Sequence, residues 1–149
     1  MGLLETVTAH LQEALRRGDT LRLETLRLLR AALVEATKTG EAGGLTPERE
    51  LQILRSAIKK RQEAIEHYER AGRWEAAERE RQELAILQSF LPPQLSDEEL
   101  RSELEGLIAE LGAQGPKDFG RVMREAMQRL RGRADGARVQ QCVRRLLGQ

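Results

Sequence analysis

Two adjacent prolines, Pro92 and Pro93, interrupt a chain that otherwise reads as helix along most of its length. Neither can donate an amide hydrogen, and each ring crowds the preceding turn, so no helix continues through them. The residues before and after them must build separate helical groups. The expected division is a domain of residues 1–93 followed by one of residues 94–149.

The composition agrees with helix on both sides of this break. Ala, Leu, Glu, Arg and Gln dominate, and all are good helix formers. Aromatic residues make up only 3% of the chain. Leu, Ile, Val, Ala and Met must then fill the core, which suits helix-on-helix packing better than a sheet sandwich. The expected fold class is all-α: an N-terminal helical domain with a long antiparallel helix hairpin, then a small C-terminal three-helix domain.

Apolar residues at helical spacing locate the elements. Leu4, Val7, Leu11 and Ala14 form a first stripe that stops near Gly18. Asp19 is an N-cap for a second helix carrying Leu26, Leu29, Leu33 and Ala36. The glycines between Lys38 and Leu45 mark a mobile loop. Thr46 followed by Pro47 opens a long helix with Leu51, Leu54, Ile58, Arg61, Ile65 and Tyr68 along one seam. Arg61 interrupts that seam, so it must reach a carboxylate or extend to water. Gly72 ends the helix, and Trp74, Ala77, Leu84, Leu87 and Leu91 carry a fourth one back.

Beyond the prolines, Ser96 with Glu99 forms a capping box. The helix that follows presents Leu100, Leu104, Leu107, Ile108 and Leu111. Phe119, Val122, Met123, Ala126, Met127 and Leu130 mark a sixth helix. Asp135 caps a seventh, which carries Val139, Cys142, Val143, Leu146 and Leu147.

Charge divides this last part sharply. Residues 96–111 hold six acids against Arg101, whereas residues 112–149 hold nine cations against three acids. A basic surface on a small helical module is the footprint expected of a phosphate-binding protein. Arg121, Arg124, Gln128 and Arg131 follow one another by three or four residues on the polar side of the sixth helix. Arg138 and Arg145 share a face of the seventh. Gly132-Arg133-Ala134-Asp135-Gly136 reads as a flexible turn into a helix N-terminus, where free amides and Arg133 would suit a phosphate oxygen. Two readings remain open: the patch meets an external polyanion, or the neighbouring acidic helix neutralises it. Arginine also outnumbers lysine 21 to 4 along the chain, so part of the pattern is residue preference.

Catalytic signals are thin. His10 and His67 lie on separate helices without a second ligand at metal-binding spacing. No phosphate loop, dinucleotide fingerprint or nucleophile elbow occurs. Cys142, the only cysteine, sits on an apolar face and reads as a structural thiol. Neither a membrane span nor a secretory signal is visible, and a soluble cytoplasmic protein without cofactor or metal is expected.

The string ELAILQSFLPPQLSDEEL (Glu83 to Leu100), the segment around Ala71-Gly72-Arg73, and GAQGPKDFGRVMREAMQRLRGRADGARVQQCVRRLL (Gly112 to Leu147) resemble the YqeY family, also called GatB/YqeY-domain proteins. LETLRLLRAAL (Leu23 to Leu33) fits the family's second helix. The C-terminal part is similar to the tail domain of the B subunit of the glutamine-dependent aspartyl/glutamyl-tRNA amidotransferase, which contacts tRNA. The matching positions are Lys117-Asp118-Phe119-Gly120 with Val122-Met123, then Gly132-Arg133-Ala134-Asp135, Val139 and Val143. Phe119 stands where methionine is common, Phe90 where tyrosine is usual, and Trp74 where an acid is usual. These departures alter packing and surface detail.

The basic segment and this resemblance together point to a non-catalytic tRNA- or RNA-binding accessory module, with Lys117, Arg121, Arg124, Arg131, Arg133, Arg138 and Arg145 as candidate contact residues. The resemblance also admits an auxiliary part in a carbon–nitrogen ligase that uses glutamine as amido donor on misacylated tRNA. The sequence offers no nucleotide cradle or amidase signature for that chemistry, and a shared domain does not transfer an activity. A third reading is a helical adaptor that holds a protein partner through the helix pair between Thr46 and Leu91.

Overall fold

A computed structural model describes residues 2–39 and 44–148. Among these, regular structure is helical throughout: α1 (Leu3–Arg17), α2 (Thr20–Lys38), α3 (Pro47–Arg70), α4 (Trp74–Gln88), α5 (Asp97–Leu111), α6 (Phe119–Arg129) and α7 (Gly136–Leu146), with one 3-10 turn at Pro116–Asp118. The glycine-rich loop expected at Lys38–Leu45 falls largely at residues 40–43, outside the described residues. The chain forms two compact units, Met1–Leu91 and Pro92–Gln149.

In the first unit, local chemistry sets the helix ends. Asp19 accepts from the Arg22 amide at 3.2 Å, and Thr46 accepts from the Arg49 amide at 3.1 Å. Gly18 closes α1 at φ 71°, a left-handed conformation that a Cβ would strain. The N-cap of α1 is Gly2, which has no side chain to offer. The deficit is made up from α3, where buried Glu50 accepts from the Leu4 amide at 3.0 Å. Leu26, Leu29 and Leu33 of α2 pack with Val7, Leu54, Ile58 and Leu87 in one apolar core. Trp74 does not join its expected stripe: it opens α4 with 63% of its surface exposed. Leu91 also lies beyond α4, which ends at Gln88.

Arg61 meets two carboxylates of α4, Glu83 at 3.4 Å and Glu80 at 3.6 Å. Its Nε and the Glu80 Oε2 are buried without a hydrogen-bond partner. Burial, and then the neighbouring Glu80, push the Glu83 carboxyl above its ordinary value of 4.5, outweighing the attraction of Arg61.

The second unit closes a wholly apolar core around Leu100, Leu104, Leu107, Val122, Val139 and Val143. Its α5 caps itself: Ser96 accepts from the Glu99 amide at 3.1 Å, while Glu99 accepts from the Ser96 amide at 2.9 Å. Leu95, buried with this core, donates its amide to the Arg133 carbonyl at 2.8 Å. Gln94 donates to the Gly132 carbonyl at 2.6 Å.

Candidate nucleic-acid interface

The cations of the second unit fall into two groups according to what they touch. Several are committed to its own framework. Arg121 donates to the Leu111 carbonyl at the end of α5 at 3.1 Å and approaches Asp118 at 3.4 Å. Asp118 in turn accepts from the Gln114 amide at 2.9 Å. That bond first, and the charges of Arg121 and Lys117 after it, hold the Asp118 carboxyl below its usual range. Arg129 reaches Glu110 of α5 at 3.0 Å and Glu125 of its own helix at 3.2 Å. Both contacts raise its pKa, and Glu110 is held low in return. Arg138 donates to Asp97 at 2.8 Å and to the Leu95 carbonyl at 3.0 Å. Arg144 lies 5.3 Å over the Phe119 ring, a cation–π contact.

The acidic helix α5 thus claims part of the patch, through Glu110 and Asp97. It does not claim all of it. Among the described residues, Lys117, Arg124, Arg133 and Arg145 are exposed and make no side-chain hydrogen bond or ion pair, although Arg133 lies close enough to help hold Glu99 low. Arg131 is exposed as well. Arg138 and Arg145 line a groove of about 570 Å³ between α5 and α7, together with Asp97, Glu98 and Arg101. That groove carries both signs of charge.

The turn before α7 departs from expectation. Gly132 and Arg133 are held through their carbonyls by Gln94 and Leu95, so the turn is strapped to the segment after the prolines. At the N-terminus of α7, the Asp135 carboxylate accepts from the Ala137 amide at 3.3 Å. A carboxylate already occupies the position proposed for a phosphate oxygen, which repels a second anion there.

Gln94 and Leu95 escaped the sequence reading. The one signal for them was their place directly after two prolines, where an unpaired extended segment must find partners for its backbone. The partnership of Arg144 with Phe119 was also missed, since 25 positions separate them in the chain.

The histidines are placed apart. His10 packs edge-on against Phe90 at 5.2 Å, its Nδ1 lying 3.0 Å from the Arg22 guanidinium. His67 neighbours Tyr68 on α3. Among the described residues no group of three His, Cys, Asp or Glu side chains could hold a metal ion. Burial pushes the Cys142 thiol above its ordinary value, away from the reactive thiolate. No described helix is long and apolar enough to cross a membrane.

A family model described as "Yqey-like protein" matches residues 4–147. The chain is also similar to "Altered inheritance of mitochondria protein 41, mitochondrial" from Pyrenophora tritici-repentis (strain Pt-1C-BFP). The two are 28% identical, over 98% of this chain and 81% of the fungal protein.

Proposed function

This chain belongs to the Yqey-like protein family, and from that membership and the free cations of its second unit we propose that it is an RNA-binding accessory module whose partner is tRNA. The observation that carries the reading is that, among the described residues, Lys117, Arg124, Arg133 and Arg145 stay exposed without a hydrogen-bonded or ion-paired carboxylate, although α5 supplies acids nearby. Guanidinium groups left in this state are suited to phosphate oxygens, which they can meet with two parallel hydrogen bonds. The likeness to the amidotransferase tail domain supports tRNA among the possible RNAs. The reading places the protein's work in the cytoplasm.

The test is titration of labelled, unmodified tRNA with the full chain at several salt concentrations. Expected is saturable binding that weakens steeply with salt, because each phosphate contact releases counterions. Arg124→Glu combined with Arg145→Glu should weaken binding by about ten-fold or more with helicity unchanged. The same reversal at Arg27 and Lys59 of the first unit should leave it nearly intact. No binding even at low salt overturns the proposal.

The tail likeness also supports a narrower role beside a carbon–nitrogen ligase with glutamine as amido donor. Adding the protein to a complete amidation reaction on glutamyl- or aspartyl-tRNA should then change its rate; an unchanged rate removes that role.

A further inference from the structure

A second surface lies in the first unit. Between α2 and α3 runs a groove of about 520 Å³. It is lined from Thr25 to Thr39 on one side and from Arg49 to Arg61 on the other. At 1.5 Å per residue, each wall is about 20 Å long, the length of roughly three to four helical turns. Leu29, Ala32, Ala36, Ile53 and Ala57 line it with apolar, mostly small side chains. Small residues let a third helix approach two others closely.

Three observations indicate an occupant. Leu28, at the edge of the groove, keeps 62% of its surface exposed, an apolar side chain that the unit itself leaves uncovered. Arg49 and Lys60 stand exposed near opposite ends of the α3 wall. Among the described residues, the Arg49 side chain hydrogen-bonds to the neutral Gln52, at 3.3 Å, and to no carboxylate. The α2 wall supplies one carboxylate, Glu35, against these two cations, while Arg61 is spoken for by Glu80 and Glu83.

We propose that this groove is a docking site for an amphipathic helix of a partner protein. Its apolar stripe would lie along Leu28, Ala32, Ile53 and Ala57, with carboxylates on the edge facing Arg49 and Lys60. An RNA strand is poorly suited, because the two exposed cations stand near opposite ends and Ala32, Ile53 and Ala57 between them offer phosphates nothing. The chain's own acidic helix cannot serve in a second copy: Leu100, Leu104 and Leu107 of α5 are buried in their own core. The groove is built from residues of the first unit alone and the free cations belong to the second, so each proposal is tested by its own substitutions.

The test uses the full chain and two fluorescent helical peptides of about 16 residues. Both carry the same Leu/Ala stripe, one with glutamates and the other with lysines along its edges. Expected is saturable one-to-one binding of the glutamate peptide, about ten-fold tighter than the lysine peptide, by anisotropy. Leu28→Asp should weaken it by about ten-fold or more, and Arg49→Glu with Lys60→Glu should reverse the peptide preference. Both changes are at exposed positions, and circular dichroism checks that the fold survives. Equal binding of the two peptides, or binding indifferent to Leu28→Asp, overturns the proposal. So does displacement of the glutamate peptide by tRNA, which would make the groove a nucleic-acid surface. Self-association abolished by Leu28→Asp would overturn it in favour of a second copy as occupant.

Discussion

The two units use charge in opposite ways. In the first, Arg61, Glu80 and Glu83 sit largely inside the packing of α3 against α4, and buried Glu50 closes the start of α1. In the second, the buried core is apolar throughout, and ion pairs such as Arg129 with Glu110 lie on the outside. A charge taken inside needs partners or loses its hydration uncompensated. A charge left outside costs little, and it stays available only where no neighbouring carboxylate takes it, as at Arg124 among the described residues. The contrast lies in the interior: both units also carry exposed ion pairs, Arg79 with Glu24 in the first and Arg101 with Glu105 in the second.

The largest effect that would sharpen this contrast comes from the apolar core. Leu104→Ala, at a position with no exposure, should destabilise the second unit by about 2–5 kcal/mol. Segment-resolved hydrogen exchange should show protection falling over α5 to α7 more than over α1 to α4. Equal loss in both units would mean that they do not behave as separate cores.

Next is the charged interior of the first unit. Arg61→Ala should cost about 2 kcal/mol in urea unfolding, less than a fully buried pair because all three side chains retain some exposure. Replacing the three together by Met and two Leu should cost less than the single change. A triple variant worse than Arg61→Ala would show that the charges stabilise this unit outright.

The pH responses should also diverge. The folded Glu83 has a raised pKa, so its ionisation weakens the fold as pH climbs through 4.5 towards the raised value, and the penalty persists above it. Glu83→Gln should therefore stabilise the first unit at neutral pH, a gain that disappears below about pH 4.5. Glu99, Glu110 and Asp118 behave oppositely. Their folded pKa values are lowered, so the stability they add is present above the ordinary carboxylate range and is lost as pH falls through the lowered values. Acid titration followed by hydrogen exchange should thus weaken the second unit through these three groups while relieving Glu83. A Glu83→Gln gain that persists at pH 3 would contradict the assignment.

The smallest expected effect concerns the caps. Ser96→Ala should cost about 1 kcal/mol in thermal or urea unfolding. Glu50→Ala should cost somewhat more, because its loss leaves the Leu4 amide without this acceptor in a half-buried setting. If Ser96→Ala proves the more damaging, the buried cap of α1 is not a structural requirement.

Helices, their caps and most core positions were legible in the sequence, because each depends on neighbours within a turn or two. Val7, Leu26, Leu54, Leu104 and Val139 are buried where periodicity put them, and Asp19, Thr46, Ser96 and Asp135 cap as their chemistry dictates. Trp74 shows the limit: its spacing fits the α4 stripe, yet at the first residue of that helix it remains outside the core.

Among the candidate contacts, a helical wheel can say that Arg121, Arg124 and Arg138 avoid the core. It cannot say that Arg121 is held by the Leu111 carbonyl, that Arg138 finds Asp97 41 residues away, or that Arg124 finds neither. The same holds for Glu50 at α1 and for the α2–α3 groove. Local backbone preference and apolar period determined which segments became helices, since those forces act over a few residues. Only tertiary packing decided which charges were consumed and which remained, since a salt bridge or a groove depends on side chains that chain connectivity leaves far apart.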